Sequence, residues 1–566
     1  MAAVLSAKRC VLGVLALVAT ALAGCGADPP TAGLPPALPT PPPATEWPFA
    51  GGTLDGRRAS TDPAITASSL PLAIVWNHTT SGAFTGTPTV EDGRVYAATW
   101  KGQVLALDAA TGRPLWVLEV GAKVTGSVTS FGGVLYFGDD KARLNAVVAA
   151  TGQPLWNATL DGALHAHLYA TPIVLPASGA REALVVQAVG SDQESLRLHG
   201  DNPVDFRGSV AALDPATGAE LWRTPLMDAN GTGAPVWGTP VWHAATDSVV
   251  FGTGNAYSGQ AGKLTDAIIA LRASDGAILW SYQATADDIF TQANPTSPDD
   301  DFGSTPSLVA VGDRTLAVMG QKSSVVWAID VATGLLAWKS GAVTSGEGIV
   351  GDTAAADGRV FVPYVTQKRF AALDAATGRE LWNRSLDGLG FADPVAVPGA
   401  VLAADSSGHV LALDAATGAV LWNTTLEGGV YGGLSVAGGR LFVPIVATGF
   451  LGEEGAVVAF APGAPTGSDG TTSAGQADGS VLMEGFEFVP AVLSVPAGQA
   501  VTWRNLDPAL HTVTFVAGGQ ELVADTGEAV TWTFTEPGTY EYYCRPHASQ
   551  AADGTWIGMT GTIIVG

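Results

Sequence analysis

The stretch VLALDAATGAVLW at 410–422 decides the fold, because the chain keeps repeating it. Close copies read VLALDAATGRPLW at 104–116, VAALDPATGAELW at 210–222 and FAALDAATGRELW at 370–382. Weaker ones stand at 144–156, 268–280 and 326–338. In each copy an alternating apolar run suits a strand with one buried face. Asp-x-x-Thr-Gly then supplies a tight turn, with Asp bonding the turn backbone and Gly accepting positive φ. A second short strand ends in a Trp large enough to wedge against a neighbouring sheet. Another strand pair precedes most copies, such as GTPTVEDGRVYAAT at 86–99. Four short strands per unit of about 40 residues predict the blades of a β-propeller.

The terminal tryptophans are Trp76, Trp116, Trp156, Trp222, Trp280, Trp338, Trp382 and Trp422, which predicts eight blades. Trp76 has no repeat strand before it, and the last repeat strand (456–460) has no Trp after it. Joining the two closes the ring and leaves no free sheet edge at the seam. The repeat resembles that of the pyrroloquinoline quinone (PQQ) propeller superfamily over about 70–460. That resemblance implies an all-β, eight-bladed propeller over 46–462, a fold that also serves as a non-catalytic scaffold.

The chain begins with Lys8 and Arg9, an apolar stretch at 10–22, and Leu22-Ala23-Gly24-Cys25. This reads as an export signal over 1–25, too short to span a membrane. L-A-G-C resembles the lipobox of prokaryotic lipoproteins, which implies lipidation of Cys25 and a membrane anchor outside the cytoplasm; an ordinary cleaved signal is the alternative. The proline-rich residues 26–45 predict a semi-rigid spacer. The formal charge is −25, from 27 Lys and Arg against 52 Asp and Glu. Such an acidic chain is not built to bind nucleic acid. Three cysteines, at 10, 25 and 544, supply no disulfide framework, and no C-x-x-C-H haem motif exists.

Spacings between the tryptophans run 40, 40, 66, 58, 58, 44 and 40. The blades ending at 222, 280 and 338 therefore carry insertions, which propellers place in loops at the ring faces. They contain Ser191-Asp192-Gln193-Glu194 with Phe206-Arg207-Gly208, then Trp237 ahead of Gly252-Thr253-Gly254-Asn255. The third has Asp299-Asp300-Asp301-Phe302-Gly303, followed by Gly320-Gln321-Lys322. These motifs resemble the PQQ alcohol dehydrogenases, most closely the polyvinyl-alcohol-dehydrogenase-like branch, although that branch's cysteine pairs are missing. The resemblance implies Glu194 and Asn255 as Ca²⁺ ligands, Trp237 as the floor under the quinone and Lys322 as its cation. It also implies an aspartate base, Asp301 first and Asp299 next. The chemistry suits those types: hard oxygens for Ca²⁺ and a carboxylate to take the hydroxyl proton of an alcohol or sugar-like substrate.

Residues 463–480 are Gly/Ser-rich and predict a flexible linker. The alternating runs of 481–566 predict a β-sandwich. It carries His511 after Asn505-Leu506-Asp507, then Cys544-Arg545-Pro546-His547, then Met559. Two imidazoles, a thiolate and a distant thioether make a type 1 copper site for electron transfer. The domain resembles the plastocyanin/halocyanin cupredoxins. Eleven residues separate His547 from Met559, where that family has only a few, and this is the domain's one departure from the family pattern. Together the motifs predict an exported oxidoreductase that passes electrons through copper to an external acceptor. A non-catalytic propeller carrying a copper electron carrier is the rival reading.

Overall fold

The computed structural model describes residue 43, residues 46–192, 205–291, 297–341, 348–447 and 454–463, and most of 480–566. Cys25, Glu194 and the linker at 464–479 lie outside the described residues. The described residues contain strands and one short 3₁₀ turn at Ala67–Ser69, with no α-helix.

Between residues 72 and 462 the described residues form seven four-stranded sheets, one five-stranded sheet and a small two-stranded one of Thr232–Gly233 and Ala256–Ser258, all antiparallel. A typical one runs Thr89–Glu91, Arg94–Ala98, Gln103–Asp108 and Pro114–Glu119. Its middle strands are buried on both faces, whereas the tryptophan strand alternates exposed and half-buried residues. The N-terminal strand Leu72–Thr80 pairs with Gly455–Pro462, setting Trp76 opposite Ala459. The seam is thus closed by main-chain hydrogen bonds between the two ends of the repeat region.

The repeated phrase joins neighbouring sheets through its tryptophan and its glycine. The indole N–H of Trp116 donates to Ala149 O in the next turn at 3.0 Å. Trp222 reaches Ala273 O at 2.9 Å and Trp382 reaches Ala415 O at 3.1 Å in the same way. The turn glycines have φ near +70°, as Gly152 and Gly418 do. A Cβ on either would stand within 2.7 Å of the tryptophan of the preceding sheet. Glycine therefore serves both the left-handed turn and the docking surface. The turn aspartate is equally local: Asp414 Oδ1 accepts the N–H groups of Ala416 and Thr417 and the Thr417 hydroxyl.

Around the axis the sheets are laced by a second repeat, G-T-P or a variant of it, just before each innermost strand. Thr87 N–H donates to Ser127 Oγ, Ser127 N–H to Thr171 Oγ1, and Thr171 N–H to Thr239 Oγ1. Thr239 N–H continues to Thr305 Oγ1, Thr305 N–H to Asp352 Oδ1, and Asp352 N–H to Asp393 Oδ1. The eighth equivalent is Gly433, where a Cβ would collide with Thr87 Oγ1 and the guanidinium of Arg58. Arg58 fills that gap. It is fully buried, donates to the carbonyls of Ala50, Pro394 and Leu434, and lies 3.7–3.8 Å from the carboxylates of Asp393 and Asp352.

Arg58 arrives on a segment the repeat pattern does not predict. Residues 47–60 run across the innermost strands and borrow their free edges. Val90 N–H donates to Trp47 O, Ser130 N–H to Pro48 O, Trp242 N–H to Leu54 O, Leu308 N–H to Asp55 O, Ala355 N–H to Arg57 O and Ala396 N–H to Arg58 O. Edge groups from six sheets are satisfied by one strap.

Residues 480–566 form two sheets. One orders Glu487–Val489, Ser480–Glu484, Ala500–Asn505 and Ala529–Thr533. The other orders Val492–Val495, Trp556–Val565, Gly538–Gln550, His511–Phe515 and Glu521–Ala524. Trp503 fills the space between them, edge-on to Tyr542 at 5.4 Å and to Phe515 at 6.2 Å. Truncating so large a buried ring costs about 3–5 kcal/mol.

Candidate functional site

The strand Gly538–Gln550 pairs with Trp556–Val565, and its register jumps between Tyr543 and Ala548. Cys544-Arg545-Pro546-His547 leaves the ladder there, so a proline that could not donate to the sheet falls in the excursion. On the partner strand only Met559 lies between the paired residues Gly558 and Thr560. Met559 thus sits opposite the bulge, buried in the same core as Cys544. The eleven-residue separation from His547 also has a simple cause. Ala548, Ser549 and Gln550 pair with Gly558, Ile557 and Trp556, so the additional residues lengthen the hairpin without moving Met559 from the bulge.

His511 opens the adjacent strand. Its Nδ1 lies 3.5 Å from Cys544 Sγ and 3.1 Å from His547 Nδ1, and His547 Nδ1 lies 3.3 Å from the sulfur. Among the described residues this is the group of three metal-ligating side chains that converges, with ligand atoms within 4.8 Å of one another. His511 and Cys544 are fully buried, whereas His547 is half-buried. Burial raises the Cys544 thiol above its ordinary range, and the Thr512 N–H that reaches the sulfur at 3.3 Å opposes this. A bound cation would hold the thiolate outright. Two imidazoles and one soft sulfur fit copper, and the buried Asn505 steadies the pocket by donating to Ala524 O.

A second cluster lies in the inserted sheets. Lys322 Nζ bonds Asp299 Oδ1 at 2.8 Å and Asp301 Oδ2 at 2.7 Å. It also stands 4.9 Å from the centre of the Trp237 ring. Asn255 N–H donates to Asp301 Oδ1 at 2.6 Å, so both oxygens of this fully buried carboxylate are engaged. Five residues expected from sequence (Trp237, Asn255, Asp299, Asp301 and Lys322) thus share one locality.

Asp266 and Asp288 join them, and the motifs did not announce either. Both Asp266 oxygens, Asp288 Oδ1 and Asn255 Oδ1 are buried without a hydrogen-bond partner among the described residues. Burial, followed by the Asp301 carboxylate, pushes Asp299 up to about 7, with Lys322 opposing. Burial pushes Asp288 up to about 7 against the Asp300 N–H that its carboxylate accepts, with the Asp300 and Asp299 carboxylates adding to the rise. Asp266 is driven well above the carboxylate range by burial and the carboxylates of Asp301 and Asp288. The orphaned oxygens are hard donors of the kind Ca²⁺ takes, although no three of these carboxylates converge as the copper-site ligands do among the described residues. Trp237 also walls a cavity of about 120 Å³ on the ring axis, lined by the hydroxyls and carboxylates of the G-T-P lacing.

A ring of tryptophan-docked sheets with this insertion site, and a sandwich with a His–Cys–His cluster, define a PQQ-repeat propeller joined to a copper domain. Family comparison agrees in both parts. The PQQ_2 model, described as "Outer membrane protein assembly factor BamB", matches 71–175, 207–388 and 321–484, more than half of the chain. The chain belongs to that repeat family. Residues 476–566 match "Copper binding proteins, plastocyanin/azurin family".

The polyvinylalcohol dehydrogenase of Sphingopyxis sp. (strain 113P3) is 26% identical over 429 residues, covering 65% of this chain and 65% of that enzyme. The chain thus spans slightly less than two thirds of that relative's length. Amicyanin of Paracoccus denitrificans is 36% identical over 106 residues, 17% of this chain and 81% of amicyanin. The quinohemoprotein alcohol dehydrogenase ADHIIG of Pseudomonas putida HK5 superposes with a TM-score of 0.65 at 18% identity, covering 77% of this chain and 82% of that one. At that identity the likeness is one of fold.

Proposed function

We propose that the protein is an exported oxidoreductase whose propeller binds PQQ and Ca²⁺ and oxidises an alcohol or sugar-like substrate. Electrons pass to a type 1 copper held by His511, Cys544, His547 and Met559, then to an external acceptor. The observation that carries this reading is the convergence of Trp237, Lys322, Asp299, Asp301 and Asn255 beside orphaned buried oxygens. A bound quinone with Ca²⁺ would supply a two-electron acceptor and a Lewis acid.

The chain's own residues have separable tasks. Trp237 offers the flat surface, and Asn255 offers an oxygen to the cation, together with Glu194 if the family role carries over. Lys322 supplies positive charge toward quinone oxygens. Asp301 is spent on Asn255 and Lys322 and so positions the site. Asp299 is about one-quarter exposed, engages Lys322 through one oxygen and has its pKa pushed up to about 7, which suits a base working near neutrality. Of the two aspartates named from sequence, Asp299 therefore takes the proton. Lipidation of Cys25 would hold the protein on the outer face of the membrane, and the mass of the mature N-terminal peptide tests that.

The central test is reconstitution of the full chain with PQQ and Ca²⁺, followed by a screen of alcohols and sugars with an artificial dye acceptor. Ca²⁺-dependent PQQ binding and dye reduction are expected. Failure to bind PQQ at any Ca²⁺ concentration contradicts the reading and leaves a propeller scaffold with a copper electron carrier.

A further inference from the structure

The chain has ten asparagines, and five of them (Asn77, Asn157, Asn230, Asn383 and Asn423) head an Asn-x-Ser/Thr triplet without proline. That triplet is the acceptor sequence for N-linked sugar on exported proteins. All five are exposed, whereas Asn145 is half-buried and Asn255 and Asn505 are fully buried. Four of the five directly follow a docking tryptophan: Trp76, Trp156, Trp382 and Trp422.

The fold explains that exposure. Each of these four lies on the outermost strand of its sheet, which is paired along one edge only. Side chains alternate along a strand, so a tryptophan turned into the neighbouring sheet turns the next residue outward. The residue two positions beyond the asparagine shares its face. Thr79, Thr159 and Thr425 are accordingly exposed on the same side as Asn77, Asn157 and Asn423. The amide and hydroxyl of each triplet can thus be reached together in the folded protein. Asn77 and Thr79 also line a groove of about 750 Å³ that extends to Thr425 of the neighbouring sheet, which is room for the first sugars of a chain.

The same strands carry a liability that sugar would relieve. Ile74, Val75, Leu155, Val420 and Leu421 are 41–53% exposed, each close in sequence to one of these three asparagines. Apolar side chains on an unpaired strand edge invite pairing with a second copy, and a hydrated chain on the edge blocks it. The remaining two triplets are engaged elsewhere. Asn383 donates its side-chain amide to Glu380 Oε1 at 2.5 Å. Thr232, which completes the triplet of Asn230, is buried and shares a hydrogen bond with Ser258 Oγ at 2.7 Å.

We propose that Asn77, Asn157 and Asn423 carry N-linked oligosaccharides that coat the outer edges of the propeller sheets, and that Asn230 and Asn383 are passed over. The proposal rests on the export reading. The transfer joins the asparagine Nδ2 to the anomeric carbon of an oligosaccharide carried on a lipid phosphate or diphosphate. The bond from that carbon to the phosphate oxygen breaks, its electron pair leaves with the phosphate, and the amide gives up one proton. No oxidant or reductant takes part.

The experiment purifies the full-length protein from its own host, digests it and reads every asparagine peptide by mass spectrometry, together with the N-terminal peptide. Saccharide mass is expected on Asn77, Asn157 and Asn423, with little or none on Asn230 and Asn383. Thr79→Ala, Thr159→Ala and Thr425→Ala should each strip the sugar from its own asparagine alone, and the corresponding Thr→Ser variants should keep it. Bare Asn77, Asn157 and Asn423 in protein whose signal segment has been removed overturn the proposal and leave export standing. Protein that still begins at Met1 overturns the export reading, and the sugars fall with it. Equal occupancy at all five asparagines overturns the selection by the folded strands, and sugar that survives the Thr→Ala changes overturns the N-linked assignment.

Discussion

The copper cluster and the aspartate cluster are opposite solutions to assembling polar groups inside β-structure. The His–Cys–His cluster comes from adjacent strands of one sheet: Cys544 and His547 share a bulge that Met559 faces, and His511 opens the neighbouring strand. The aspartate cluster draws Trp237, Asn255, Asp266, Asp288, Asp299, Asp301 and Lys322 from separate turns of a long repeat, held in place only because the ring is closed. The first site is set by local pairing, and the second depends on the whole propeller. Perturbing the ring should therefore damage the second and spare the first.

The largest expected effect is on the copper side. Cys544→Ser should abolish the intense blue colour of the oxidised, copper-loaded protein, because the thiolate is the soft ligand that a hydroxyl cannot replace. PQQ binding should be untouched. A variant that stays blue would break the copper assignment. Next comes the base: Asp299→Asn should lower turnover by about 10² or more while PQQ still binds. Dead Asp301→Asn beside active Asp299→Asn would reverse the two roles.

What could be read from the sequence follows the same division. His511, Cys544 and His547 were legible because their spacing is the site, whereas the place of Met559 opposite the bulge could not be read through the longer stretch that separates it from His547. The blade repeat was legible because its Asp turn and its Trp–Gly docking are local requirements recurring in register. Asp266 and Asp288 were not legible; an aspartate in a turn looks the same whether its oxygens end in water or in a buried cluster. Nor was Arg58, whose partners Pro394 and Leu434 stand more than 300 residues away. One signal could have found its place: the G-T-P run recurs at 86, 238 and, as variants, elsewhere, and only 432–434 puts a second glycine at the Thr position.

Arg58 gives the third prediction. Arg58→Met should destabilise the propeller by about 3 kcal/mol, through loss of a buried cation facing two carboxylates, and leave the copper spectrum unchanged. Equal loss of both domains' unfolding transitions would contradict their independence. A smaller effect sharpens this one. Burial, then the Asp352 carboxylate, pushes Asp393 up from 3.8 to about 7, against Arg58. An acid whose pKa rises on folding contributes stability that is complete below its unfolded value and is lost as pH rises through its folded value. Propeller stability should therefore decline between pH 4 and pH 7, and the penalty of Arg58→Met should widen as pH rises above about 7, where Asp393 ionises beside Arg58 but stays protonated without it, as read by thermal melts.

The central claim is that the two unlike sites are redox partners within one chain. A Gly/Ser-rich connection of this length should hold the copper domain at roughly millimolar effective concentration near the propeller. The direct measurement is the bleaching of copper after substrate is mixed with the PQQ- and Ca²⁺-loaded protein over a range of protein concentrations. The account predicts a bleaching rate independent of protein concentration, which becomes bimolecular and salt-dependent when the chain is cut between 463 and 480. Copper that stays blue in the intact protein while a dye is reduced, or kinetics that cutting leaves unchanged, would contradict it.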